Sequence, residues 1–234
     1  MNIWEHGTPK KIMEGVIAWE NCINVPDGVI EIMNSEVDTW KEKMTFENAS
    51  KENRLQGLYG NGPIRFNPEE HFYLEESIAF FNHIRKNTLD KAAQYVEMYP
   101  DADEEIEWME TWQYITYTPP KNMTFHSDNH GPRNKQTGKP FLTPGLRRFT
   151  ALTYLNDDFK GGSLMYRYFD IPPYKAPAGT TLIQPSNYMW SHGTTPLLTG
   201  RKAAFLVAFN GYYNVEDEYL YQTDAEVLRA RELR

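Results

Sequence analysis

Residues 147–166 read RRFTALTYLNDDFKGGSLMY. The first nine are rich in Thr, aromatic and aliphatic side chains that suit a pleated, half-buried surface, so they predict a strand ending at Tyr154. Asn156 to Lys160 predict a turn. Gly161 and Gly162 then permit a tight hairpin or a bulge, and a second strand begins in GSLMYRYF. The same texture extends in both directions from Glu107 onward. WQYITYT (112–118), GTTLIQP (179–185) and KAAFLVAF (202–209) are further strand candidates, separated by Gly, Pro, Asn and Asp. A crowd of short strands points to a sandwich or barrel, not to an alternating α/β fold.

Upstream the pattern changes. After Asp27, a candidate cap, Val29, Ile30, Met33, Val37 and Trp40 recur at near-helical spacing. A second helical stretch starts near Pro68, with Phe72, Ile78, Phe81 and Ile84 as its expected buried stripe. A third runs through Ala92, Tyr95 and Val96, and Pro100 ends it. Residues 51–70, KENRLQGLYGNGPIRFNPEE, hold three Gly and two Pro and read as a loop. The segment after Tyr219 reads as a short charged helix, and the polar stretch from Asn129 to Gly145 as an extended loop able to cover a site.

The chain has 234 residues, 40% hydrophobic, 14% aromatic and 24% charged, which is enough apolar material for one domain with a real core. Its net charge of -8 repels phosphate backbones and argues against nucleic-acid binding. One cysteine, Cys22, allows no internal disulfide and suits a reducing, cytoplasmic setting. No signal-peptide pattern and no membrane-length apolar run is present.

Two histidines sit in informative places. In FHSDNH, His126 and Asp128 are two positions apart, which on a strand puts both on one face. Alone, that pair serves equally well as a surface strand pair or an Asx turn. Far downstream, His192 precedes the last strong strand; alone it reads as a satisfied loop or core histidine. Together, two imidazoles and a carboxylate on one face of a metal leave positions open, as in non-haem Fe(II) oxygenases. Arg201 and Lys202 open the last strand, and a cation there calls for an anion. They point to opposite faces, so only one can enter a pocket. Tyr154 offers a hydroxyl to the same pocket or packs as plain core.

In this order, FHSDNH, RRFTALTYLNDDFKGGSLMY, PAGTTLIQPSNYMWSH and TPLLTGRKAAFLVAF, the chain resembles the 2-oxoglutarate- and Fe(II)-dependent dioxygenases, in their prolyl 4-hydroxylase-like branch. The resemblance covers about residues 107 to 211. It implies a mostly β chain with N-terminal helices (α+β). Residues 1–106 would be a helical support region, 107–215 a double-stranded β-helix (a cupin-like jelly roll) and 216–234 a C-terminal tail, in one catalytic domain. It implies that His126, Asp128 and His192 hold Fe(II). Lys202, or Arg201 in members that place the cation one residue earlier, would bind the distal carboxylate of 2-oxoglutarate. Tyr154 matches a tyrosine that meets this carboxylate. Tyr117 matches the tyrosine opening the strand before the first metal motif, although Pro120 stands where the family usually has Gly. Dioxygen is implied as a substrate and ascorbate as the reductant customary in the family. Residues 129–145 would be a substrate lid, and Tyr188, Met189 and Trp190 would line the pocket or simply pack.

The implied reaction hydroxylates an unactivated C–H bond of a prolyl or other residue in a peptide or protein, releasing succinate and CO2. Hydroxylation of a free amino acid or small metabolite fits the same scaffold, whereas the acidic charge disfavours a nucleobase demethylase. A non-catalytic jelly-roll binding protein would have an idle or absent metal site, and a metal-dependent cupin that ignores 2-oxoglutarate would need neither cation. The oligomeric state is not written in the sequence.

Overall fold

The computed structural model describes residues 7–45, 63–106, 108–129 and 147–210. The expected C-terminal helix, most of the 51–70 loop and all but Asn129 of the expected lid lie outside the described residues.

Twelve strands and three α-helices make up the described chain. In order they are β1 (Pro9–Met13), β2 (Val16–Trp19), α1 (Val29–Lys43), β3 (Ile64–Phe66), α2 (Pro68–His71), α3 (Glu75–Met98), β4 (Trp108–Met109), β5 (Gln113–Tyr117), β6 (Arg147–Tyr154), β7 (Lys160–Gly161), β8 (Leu164–Tyr166), β9 (Thr180–Pro185), β10 (His192–Thr194), β11 (Leu197–Thr199) and β12 (Lys202–Asn210). The large antiparallel sheet has the order β1-β2-β9-β6-β12-β5-β3, with β4 also on β12. Two short pairs, β10-β8 and β11-β7, form the opposing wall.

Strand periodicity sorts the large sheet into two faces. Trp19, Ile183, Ala151, Phe205, Phe209 and Tyr114 turn to one side and join the helices in the main core. Phe205 is the hub, with its ring 5.5 Å from that of Phe81 and 5.2 Å from that of Tyr114. Ala18, Leu182, Tyr154 and Ala204 turn to the other side and pack on Leu164 and Tyr166 of β8. Ile115, Tyr117 and Leu206 meet Phe159 and Leu197 in the same way. This is the jelly roll that the sequence implied. Both faces of β12 are covered and all nine residues are buried, so it reads as a continuous apolar run with no alternation.

The helical region differs in detail from its sequence reading. Gly28, not Asp27, caps α1, with φ of 80°, a left-handed conformation that glycine adopts without strain. The second and third helical stretches are one helix: α3 runs 24 residues to Met98. Its buried stripe is Ser77, Phe80, Phe81, Ile84 and Thr88, and Ile78, one residue out of phase, is exposed. Its N-terminus is capped from another element. The buried Glu36 of α1 accepts the backbone N–H of Tyr73 (2.7 Å) and Leu74 (3.0 Å) and the Ser77 hydroxyl. Residues 1–106 also supply strands, because β1, β2 and β3 extend the large sheet at its two edges. No helix among the described residues is long and apolar enough to cross a membrane.

Candidate metal centre

His126 and His192 face each other across an antiparallel bridge. The His126 N–H donates to the His192 carbonyl at 2.9 Å and the reverse bond is 2.8 Å. The bridge is isolated; Asp128 lies in the turn that follows, so the pair does not sit on a regular strand as the spacing alone predicts. The segment before it is zipped to β10, with Thr194 N–H on the Met123 carbonyl and Met123 N–H on Thr194 Oγ1, both 2.9 Å. Gly193 makes this approach possible, since a Cβ there would lie 2.9 Å from the Met123 carbonyl oxygen. Asp128 is fixed from two sides. Arg147, itself forked onto Glu110, donates to the Asp128 carbonyl (3.3 Å), and Asn129 N–H reaches the Ser186 carbonyl (3.0 Å).

The three side chains converge. Their ligand atoms lie within 4.8 Å of one another. His126 Nε2 is 3.4 Å from Asp128 Oδ1, and His192 Nε2 is 3.7 Å from Asp128 Oδ2. Each imidazole hydrogen-bonds a carbonyl through Nδ1, His126 to Thr124 (2.8 Å) and His192 to Trp190 (3.0 Å). A carbonyl only accepts, so Nδ1 carries the proton and the Nε2 lone pair points to the centre. His126 Nε2 is buried with no hydrogen-bond partner. A buried orphan acceptor is costly, and a divalent cation is the partner this donor set suits. Burial pushes the Asp128 carboxyl up, yet His192, His126 and Arg147 outweigh it and hold it well below the usual carboxylate range. Burial also lowers His192, whereas at His126 the neighbouring Asp128 carboxylate overcomes burial and raises it. The residues therefore fit an Fe(II)-type ion with open positions.

On the same sheet face lies a buried cation. Lys202 pairs in register with Tyr117, Ala204 with Tyr154, Tyr154 with Thr180 and Thr150 with Gln184, so these rungs share one side. Lys202 is 5% exposed and its Nζ donates to the Gly162 carbonyl at 2.5 Å. It sits over the rings of Tyr154 (5.0 Å), Phe159 (5.5 Å) and Tyr117 (5.6 Å). Among the described residues no carboxylate pairs with it. Burial, with a smaller push from Lys175, lowers it to about 7. Burial pushes the Tyr117 hydroxyl up to about 12 and that of Tyr154 higher, so both stay protonated donors. Arg201 turns to the helical side, where it binds Thr116 Oγ1 (2.9 Å) and both oxygens of Asp38 on α1 (2.8 and 3.2 Å).

No family model matches this chain, and no curated protein does. Solved structures do. The viral collagen prolyl hydroxylase of Paramecium bursaria Chlorella virus-1, in its 2-oxoglutarate complex, superposes with a TM-score of 0.51 at 12% identity, covering 85% of this chain and 97% of that one. The chain has the prolyl hydroxylase fold. A Pseudomonas putida prolyl 4-hydroxylase matches at 0.51 and 13% identity, covering 85% of this chain and 94% of its own. So does the Trichoplax adhaerens prolyl hydroxylase in complex with a peptide fragment of the hypoxia inducible factor oxygen degradation domain, at 0.51 and 13%, covering 84% of each chain. At these identities the likeness carries the prolyl hydroxylase fold, and the chemistry rests on the side chains above.

Two expectations beside the triad change. Tyr188 and Met189 are exposed, whereas Trp190 packs against the core beside Phe169, its indole donating to the Glu14 carbonyl (3.0 Å), and serves the site through its own carbonyl. Gln184, which the sequence reading passes over, touches the centre directly, and Tyr166 reaches it through Gln184. Gln184 stands on the inner-face repeat Thr180, Leu182, Gln184, and a primary amide in a strand buried throughout is the one signal of its place.

Proposed function

We propose that the chain is a 2-oxoglutarate- and Fe(II)-dependent dioxygenase that hydroxylates a C–H bond of a prolyl or other residue in a peptide or protein, with release of succinate and CO2. The observation that carries this reading is the buried Lys202, with which no carboxylate among the described residues pairs, on the same inner face as the converged His126, Asp128 and His192. A cation this enclosed is costly without a counter-charge, and a keto-diacid chelated at the triad would bring one.

Bound Fe(II) with 2-oxoglutarate and dioxygen would supply the oxidising power to break an unactivated C–H bond. The chain's own part is geometric and electrostatic. His126 and His192 keep their protons at Nδ1 on the Thr124 and Trp190 carbonyls and present Nε2 as ligands. Asp128 stays ionised and contributes the charge. Lys202 would take the distal carboxylate of the co-substrate, with Tyr154 and Tyr117 as hydroxyl donors, and the aromatic box excludes water. Arg201, already committed to Asp38, has the structural role.

A peptide substrate is supported by the rim. Phe125, beside His126, and Tyr168 are 42% and 58% exposed, and the Arg167 guanidinium lies 5.9 and 5.8 Å from their rings. Such a surface suits an extended chain better than a small metabolite, and the Trichoplax neighbour holds a peptide. A cytoplasmic location, supported by the single buried thiol of Cys22, belongs to the same proposal. The test is succinate release by iron-loaded protein given 2-oxoglutarate and a peptide panel that includes prolyl sequences. Succinate that rises with a peptide and disappears in His126→Ala is expected. Absence of both turnover and 2-oxoglutarate binding would overturn the assignment.

A further inference from the structure

Gln184 is fully buried on β9, and its side-chain amide ends at the triad. Its Nε2 is 3.4 Å from Asp128 Oδ2 and 3.2 Å from each ring nitrogen of His192. Its Oε1 is 2.5 Å from the hydroxyl of Tyr166, whose Cα pairs with that of His192 across β8 and β10. The chemistry of these neighbours fixes the amide's orientation. An ionised carboxylate only accepts, so the nitrogen faces Asp128. The oxygen then faces Tyr166, which donates. Burial pushes the Tyr166 hydroxyl well above its ordinary value, so it remains protonated. At His192 the Nδ1 proton is given to the Trp190 carbonyl and Nε2 is the ligand atom, so Asp128 is the acceptor the amide serves.

A primary amide at zero exposure must find partners for two N–H groups and a carbonyl, or cost more than an apolar side chain of the same size. Here those partners are Tyr166 and the triad, and packing alone would be served by leucine. We propose that Gln184, clamped by Tyr166, is a positioning residue for the metal centre: it holds the Asp128 carboxylate in the rotation that directs it, with the two imidazoles, at one ion. The inference rests on the reading of His126, Asp128 and His192 as a metal site. Outer hydrogen bonds of this kind orient a ligand and tune its basicity without touching the metal.

The experiment measures Mn(II) affinity by the spectral signal of the free ion, and the Co(II) visible spectrum, on the full chain without 2-oxoglutarate. Gln184→Leu is expected to weaken Mn(II) binding about 10- to 100-fold and to change the Co(II) spectrum with all three ligands still present. Tyr166→Phe, which removes only the clamp, is expected to move both readouts in the same direction by less. Unchanged Mn(II) affinity and a superimposable Co(II) spectrum in a folded Gln184→Leu protein would overturn the proposal. Were that variant not to fold, an unaltered affinity and spectrum in Tyr166→Phe would overturn it equally. Failure of the unsubstituted chain to bind Mn(II) would instead sink the metal reading beneath it, so the two failures are distinguishable.

Discussion

Lys202 and Arg201 are sequence neighbours with opposite surroundings, and substituting each in turn separates a binding role from a structural one. Lys202→Ala is expected to weaken 2-oxoglutarate binding to metal-loaded protein by about 2–5 kcal/mol, roughly 30-fold to a few thousand-fold, read by calorimetry. Arg201→Ala removes an ion pair whose members are 25% and 53% exposed, so it should cost about 0–1 kcal/mol of stability and leave co-substrate affinity in place. Lys202 also gives the binding a pH signature. Burial lowers its pKa to about 7, so above that pH the free protein holds it neutral. An anion beside it favours the charged form, and binding then takes up a proton. With metal saturating, 2-oxoglutarate affinity should be flat with respect to this group below about pH 7 and fall above it, by up to about tenfold per unit. Calorimetry across buffers of different ionisation enthalpy reads the proton uptake directly. A pH-independent affinity, or a slope retained in Lys202→Ala, would remove Lys202 from the co-substrate site.

The elements show which features a sequence displays and which it hides. β5, β6, β9 and β12 were legible because Thr, Tyr, Phe and Val are concentrated in runs bounded by Gly, Pro and Asn. β7, β10 and β11 have two or three residues each and exist only as partners of other strands. β2 is buried throughout, so it offers no alternation to read, and β1 and β3 follow from pairing with strands far along the chain. The cap of α3 was equally hidden, because its acceptor comes from α1, 38 residues before Leu74. Glu36→Ala would strip a half-buried N-terminus of three acceptor contacts. It is expected to lower stability by about 2–4 kcal/mol in urea unfolding while leaving the metal affinity of the folded fraction unchanged. A loss near zero would mean that water or another group satisfies those donors.

Over the whole molecule, one sheet is used twice. Its odd-numbered β12 residues, such as Phe205 and Phe209, pack on the helices, and its even-numbered ones, such as Lys202 and Ala204, face the short strands and the site. The convergence of His126, Asp128 and His192 was foreshadowed by the ordered motifs, whose local sequences are distinctive, even though 63 residues lie between Asp128 and His192 and only the fold closes that gap. The setting of the ligands could not be read. The Thr124 and Trp190 carbonyls carry no side-chain signature, and Gln184 is one polar residue in a strand buried on both faces. The most direct measurement is equilibrium binding of 2-oxoglutarate to the Mn(II)-loaded chain, beside Asp128→Ala and Lys202→Ala. Metal-dependent binding in the unsubstituted protein, lost in Asp128→Ala through loss of metal and in Lys202→Ala with metal retained, is the expected result. Binding that survives both substitutions, or none in the unsubstituted protein, would contradict a metal centre and anion pocket joined by one keto-diacid.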